Sequence, residues 1–423
     1  MYKRLTLPNG LRVHLVPFAG TEAATVLVLT KVGSRYEYPA INGAAHYIEH
    51  LMFKGTQRRP NTIDIGRSLD AVGAEYNAYT GKDMTGYHVT IDGKHVPLAI
   101  DLLHDMLFHS LYDQVEMDRE RSVIMEEINM YHDNPMMHVE DLLEQVMFSG
   151  STLGWEIAGS HQTMKTMTRD QVVAFRDSYY VPSRMVVCLA GKVNANHLAL
   201  VKETFGTVRE RAAGKEFERF VVETKGAYPR ANVQFKKTQQ IQVALGFPSY
   251  AIEDKRNAAL TLLSVILGGT MSSRLFISVR ERRGLAYFVR ASNSGYEDTG
   301  AFVIQSGLDR SRLPLAMKTI RREVALMTKD GVTARELREA KDHVRGKLLL
   351  KLEDSSERAE WFGKQELFLG KTKTPDERMK EIDAVTRADV LAVAKDVLNV
   401  KRLSVSAIGP YKNGAAFLKA AGL

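Results

Sequence analysis

Thr168-Arg169-Asp170-Gln171-Val172-Val173-Ala174 returns near the C-terminus as Thr386-Arg387-Ala388-Asp389-Val390-Leu391-Ala392. Beyond each copy, Arg184, Val187 and Gly191 recur without gaps as Arg402, Val405 and Gly409. The paired stretches, 168–193 and 386–411, fall where the order of expected elements also matches. The simplest explanation is a chain of two structurally related halves. Solenoid repeats are far shorter than this spacing, so stacking is not implied.

Near the N-terminus, Pro8-Asn9-Gly10 separates two strand-like stretches and reads as a hairpin turn. A further strand is expected at Ala24–Leu29, and Asn42 as the cap of a helix running to about Phe53. Thr62 opens another helix, with Ile63, Ile65, Leu69 and Val72 at helical spacing and Gly73 at its end. Residues 75–92 read as two strands joined through Gly81-Lys82-Asp83, followed by helices near 97–109, 114–132, 137–148 and 169–179. Residues 206–228 are charged and poor in large apolar groups, and are expected to be a linker. Beyond them the order repeats: strands at about 231–247, a helix from about 256, strands at 285–308 around a Gly295 to Gly300 turn, then helices. The expected domains are therefore 1–205 and 229–423, each an antiparallel sheet covered by helices, which is an α+β fold.

The 423 residues are 44% hydrophobic and 26% charged, the balance of a globular protein that buries a core. No apolar run reaches the roughly 20 residues needed to span a bilayer, so no membrane insertion is expected. The net charge of +8 raises the question of an acidic partner. Acidic and basic residues are interleaved, however, with no zinc-finger spacing, aromatic RNA-binding pattern or basic tail, so no nucleic-acid partner is expected. Cys188 is the only cysteine, which excludes an internal disulfide. It lies in the apolar run Met185–Ala190 and reads as a small core residue of a buried strand. The stretch Met1–Gly10 shows neither an apolar signal core nor a transit segment, and a cytoplasmic location is the expectation.

Chemistry enters at His46-Tyr47-Ile48-Glu49-His50. Residues four apart share a helix face, so His46 and His50 can hold one ion through their ring nitrogens. Zinc accepts two imidazoles and a carboxylate and keeps a fourth position for water. Glu49, one turn from His46, can take a proton from that water and later deliver it to the leaving amine. The His-x-x-Glu-His order is the inverted zinc-peptidase motif.

Residues 42–56, Asn-Gly-Ala-Ala-His-Tyr-Ile-Glu-His-Leu-Met-Phe-Lys-Gly-Thr, resemble the pitrilysin-type family that includes insulinase and the processing peptidases. The resemblance covers essentially the whole chain and is strongest to processing-peptidase-like subunits with two domains, many of them bacterial. It implies a third ligand at the second acid of a Glu-x-x-x-x-x-x-Glu pattern, here Glu120 to Glu127. Glu127 is the matching ligand and Glu120 its outer-shell neighbour; spacing alone does not separate Glu127 from Glu126. Residues 73–87 resemble the family's substrate strand, with Asn77 and Ala78 at the matched positions, where an extended peptide adds to a free sheet edge. Arg280 and Tyr287 match a substrate-contacting pair, the tyrosine being suited to oxyanion stabilisation.

The helix expected at Asn257-Ala258-Ala259-Leu260 has no His or Glu where the first half has its motif, so the second half reads as metal-free. The resemblance thus implies a zinc (Zn2+) endopeptidase acting on peptide substrates in an enclosed chamber. Relatives build that chamber from four such halves, which makes a homodimer the expected assembly. The alternatives are a presequence-specific processing peptidase and a non-catalytic core subunit of a larger complex.

Overall fold

The computed structural model describes residues 2–222 and 228–423; residues 223–227 of the expected linker lie outside the described residues. Strands β1 (Lys3–Thr6), β2 (Arg12–Pro17), β3 (Ala23–Thr30), β4 (Glu75–Thr80), β5 (Thr85–Asp92) and β6 (Met185–Gly191) form one sheet in the order β1-β2-β6-β3-β5-β4. Strands β7 (Arg230–Phe235), β8 (Gln240–Ser249), β9 (Ala286–Gly295), β10 (Gly300–Asp309) and β11 (Ser404–Gly409) form the other, in the order β7-β11-β8-β10-β9. Setting β2 to β6 against β7 to β11 in turn makes the two orders identical, with β1 as an added edge strand. The two halves are thus related in topology as well as in sequence.

Both sheets are mainly antiparallel, as expected for the α+β class, but each contains one parallel pair at the matching place, β2 with β6 and β7 with β11. The physical reason is the connection: β6 and β11 each arrive after a long helical crossover, which leaves strand direction free.

Among the helices that cover the sheets and carry the site are α1 (Ala44–Leu51), α2 (Gln114–Asp133), α3 (Pro135–Met147), α4 (Arg169–Tyr179), α5 (Ser355–Leu369) and α6 (Arg387–Val397). The repeated sequence makes α4 and α6 start alike. Thr168 accepts from the Gln171 N–H while Gln171 accepts from the Thr168 N–H, and Thr386 and Asp389 do the same. Such reciprocal caps satisfy two N–H groups that a helix start otherwise leaves without partners.

Two compact units are formed, and neither is contiguous in sequence. One comprises Met1–Asn129, Glu156–Phe217 and Leu348–Lys373; the other comprises Met130–Trp155, Glu218–Lys347 and Thr374–Leu423. A cut at 206–228 would leave each sheet without one of its helices. The reason lies in the central strands of the first sheet, which are apolar on both faces. Val26, Val28, Val187 and Leu189 face one core with Ile48, Leu103 and Phe175. Leu27, Leu29, Val186 and Cys188 face the other side and pack on Ala359, Phe362 and Leu367 of α5. A sheet apolar on both faces needs a helix on each, and the second cover comes from far along the chain. In the second unit α3 has the equivalent place, setting Val139, Leu142 and Leu143 against Ala244 and Ile408. Cys188 is fully buried in this packing, and burial pushes its thiol pKa up.

An ion network pins α5 to its sheet. Glu366 pairs with Arg4 at 2.6 Å and with His14 Nε2 at 2.9 Å, and the His14 and Glu366 side chains are fully buried. Burial alone would raise the Glu366 pKa, but His14 and Arg4 outweigh it and hold it at about 2. Removing Glu366 leaves the buried His14 Nε2 without its hydrogen-bond partner and the half-exposed Arg4 without its carboxylate, so Glu366→Ala should destabilise the protein by roughly 2 kcal/mol at pH 7. A folded-state pKa below the unfolded one contributes stability above the unfolded value, lost as pH falls towards about 2. The melting-temperature gap between native protein and variant should therefore narrow from pH 7 to pH 3. Equal melting temperatures at pH 7 would refute the assignment.

No described helix is long and apolar enough to cross a membrane.

Candidate metal centre

The site grows from α1, only eight residues long and packed through Ala44, Ala45, Tyr47, Ile48 and Leu51 into the first core. Its start corrects the sequence reading. Asn42 does not cap it; Asn42 Nδ2 donates to Glu37 Oε2 at 2.9 Å and to the Glu156 carbonyl at 3.0 Å. Gly43 takes the N-cap position with φ +99°, a conformation open to glycine at little strain, and a Cβ there would lie 2.7 Å from the Ala158 carbonyl oxygen. The cap comes from Glu37, whose two oxygens accept the Gly43 and Ala45 N–H groups at 2.8 Å each. The Tyr47 hydroxyl donates to the Met117 carbonyl and ties α1 to α2.

The tie sets the facing donors. His46 and His50 have ring centroids 4.6 Å apart. Glu127 Oε2 lies 3.7 Å from His46 Nε2 and 3.5 Å from His50 Nε2. One ligand atom from each of the three residues lies within 4.8 Å of the others. Glu126 points away: it is exposed and takes an Asn129 amide donor at 3.5 Å. The geometry therefore singles out Glu127, where spacing left both acids open. Glu120, two turns earlier on the same face, is buried. Its Oε2 lies 3.1 Å from His50 Nδ1, and its Oε1 pairs with Lys54 Nζ at 2.7 Å.

This donor set fits zinc. Ligand atoms at tetrahedral positions about zinc sit about 3.3 Å apart, given bonds of about 2.0–2.1 Å. The two nitrogen–oxygen separations in the site come within a few tenths of an ångström of that. Burial first, and the neighbouring His50 second, lower the His46 pKa to about 4, keeping its lone pair available. Burial also opposes charge on His50, but Glu120 and Glu127 outweigh it and raise its pKa to about 9. Glu120 is buried too, yet His50 and Lys54 hold its carboxyl below the usual range.

Glu49 stands beside these donors. Burial raises its pKa, against the Thr80 hydroxyl, which donates to Oε2 at 2.6 Å. Thr80 ends β4, whose far side pairs with no strand among the described residues. Asn77 and Ala78 lie on this strand, Asn77 exposed and accepting the Ala78 N–H at 2.9 Å. The free edge thus runs to a residue that holds Glu49.

Arg280 and Tyr287 belong to the second unit. Arg280 is carried on a π-helical turn, Phe276–Glu281, with its guanidinium 5.8 Å from the Tyr287 ring centre. Tyr287 is 71% exposed on β9, the edge strand that corresponds to β4. The helix Asn257–Ser264, counterpart of α1, carries neither His nor Glu.

Sequence reasoning missed Glu37, Thr80 and Lys54 as residues that hold the motif. Lys54 and Thr80 lie inside the family-like stretches 42–56 and 73–87, where neither had an assigned role. An acidic residue shortly before a helix that begins at glycine was the available signal for Glu37.

Comparison with known proteins places the chain in a family. Residues 12–161 match the family model for insulinase (peptidase family M16), and residues 166–344 match the model for the M16 inactive domain. An uncharacterized zinc protease of Streptomyces coelicolor is 40% identical over 98% of this chain and 91% of its own length. Another, from Bacillus subtilis, is 35% identical over 98% of this chain and 99% of its own. The crystal structure of a protease from Helicobacter pylori superposes with a TM-score of 0.91 at 24% identity, over 97% of this chain and 99% of that one. An M16 inactive-domain structure from Pseudomonas fluorescens gives 0.88 at 19%, over 98% of both chains. These two structures share the fold. The chain belongs to the insulinase (M16) family of peptidases.

Proposed function

We propose that this protein is a zinc-dependent endopeptidase acting on oligopeptides or unfolded segments. The observation that carries the reading is the convergence of His46, His50 and Glu127 beside Glu49, at the end of a free sheet edge. His46, His50 and Glu127 hold the ion, with Glu120 orienting His50. When bound, zinc supplies a Lewis acid that polarises the scissile carbonyl and brings the pKa of a water towards about 7.

The chain's own residues do the rest. The edge of β4 at Asn77 and Ala78 binds the peptide backbone as an added strand, which selects extended chains with little regard to side chains. Glu49 takes the proton of the attacking water and passes it to the leaving amine. In this reading water is the nucleophile and no acyl-enzyme forms. Cleavage-site profiling on a peptide library tests the reading: internal cuts at many sequences are expected, and no cleavage by zinc-loaded protein would overturn it.

The finer proposal is a homodimer with a shared site. Arg280 and Tyr287 sit on the unit without the donors, so in this reading they serve the zinc site of the second copy. Mixing Glu49→Gln with Tyr287→Phe protein, each inactive alone, should then restore about one quarter of native activity, because half the dimers are mixed and each holds one intact site. Subunit exchange without recovered activity would refute the shared site, and a fully active monomer would refute the dimer.

A further inference from the structure

We infer that Glu37 is a positioning residue for the zinc site, fixing the helix that carries His46, Glu49 and His50 against the hairpin β4–β5 through the segment Gly33–Glu37. This rests on the proposed function and adds a residue to it.

The segment connects β3 to the turn before α1, and both of its ends are tied. At Gly33 the backbone runs directly over the β4–β5 turn: a Cβ there would lie 2.2 Å from the Gly81 carbonyl oxygen and 2.5 Å from that of Lys82. Only glycine permits this approach. The Ser34 N–H donates to the Gly81 carbonyl at 3.2 Å and the Arg35 N–H to the Lys82 carbonyl at 3.1 Å. The Arg35 side chain, fully buried, pairs with Asp83 at 3.0 Å and stacks 3.6 Å over the Phe217 ring. Two residues further on, Glu37 is 4% exposed and accepts three N–H donors, two from the α1 start and one from Asn42.

A neutral Ser or Asn beside the helix would serve as an ordinary cap. A buried carboxylate is a costlier choice, and burial does push its pKa up to about 8 despite the donors. What it gains is reach: two oxygens on one side chain accept the N–H groups of the Gly43 cap and of Ala45 in the first turn of α1 at once. His46 is the third residue of α1, so a displaced first turn moves its ring nitrogen directly. At the other end of the helix, Thr80 holds Glu49 to the same hairpin. The donors and the peptide edge are thereby set to one frame, the pre-organisation that such a site requires.

The test is Glu37→Gln, which keeps the shape but replaces one acceptor oxygen with an NH2 facing an N–H. Three measurements are made on full-length protein well below its melting temperature. Zinc affinity, by competition with a chromophoric chelator, should fall about 10-fold or more, the usual range for losing a group that orients ligands. The visible absorption of the cobalt-substituted protein should change in band position or intensity. Turnover should drop about 10-fold with KM changed less than about 3-fold, as for lost transition-state alignment.

A lowered melting temperature with unchanged zinc affinity and cobalt spectrum would make Glu37 merely structural and overturn the inference. If Glu37→Gln does not fold, Asn42→Ala removes one donor from the same carboxylate; about 3-fold weaker zinc binding is then expected, and no change refutes the idea. Native protein that takes up neither zinc nor cobalt would bring down the proposed function itself, an outcome separable from failure of the variant alone.

Discussion

Glu49→Gln protein should retain its zinc and lose peptidase activity by at least about 100-fold, the usual range for removing a general base. The substitution preserves size, and the amide oxygen can still accept from the Thr80 hydroxyl that meets Oε2 at 2.6 Å. What is lost is the capacity to take up a proton. Glu49 is not one of the three converging donors, so metal content should be unchanged. Elemental analysis and peptide turnover on the same preparation check both halves of the statement. Near-native turnover would remove Glu49 from the mechanism, and loss of zinc would make it a ligand.

The second large effect concerns the third donor. Native protein should carry about one zinc per chain and lose activity to a chelator. Glu127→Gln should weaken zinc binding severely, because a neutral amide replaces the carboxylate that lies against both histidines. Glu126→Gln should bind zinc like the native protein, since that side chain points to solvent. Active protein free of zinc would refute the metal assignment. A Glu126→Gln protein that loses metal while Glu127→Gln keeps it would show that the side chains of α2 are turned differently from the geometry described.

How legible the site was depended on how local each signal is. His46, Glu49 and His50 stand within one and a half turns of a helix, so spacing alone placed both rings on one face. Thr80 lies 31 residues along the chain from Glu49, and nothing in its immediate sequence names that partner. Glu37 is only six to eight residues from the N–H groups it holds, but a pattern of spacing does not show that its side chain turns back to them. The expected Asn42 cap failed because a cap is a contest among nearby acceptors. Glu37 prevails with two buried oxygens once the turn at Gly43 takes a left-handed backbone.

The fold divides in the same way. Hairpins, helix stretches and the doubled order of elements follow from short-range pattern, and the recurrence of Thr168-Arg169 as Thr386-Arg387 reported the related halves directly. The chemistry on offer was equally local, with two imidazoles and a carboxylate on one short helix. Three things came only with folding: which acid of α2 faces the histidines, which segments hold α1 in place, and which helix covers which sheet. Each depends on side-chain direction and burial that no local pattern encodes. The apolar face at Leu27, Leu29 and Cys188 demands some cover, but nothing local states that Phe362 and Leu367 will provide it.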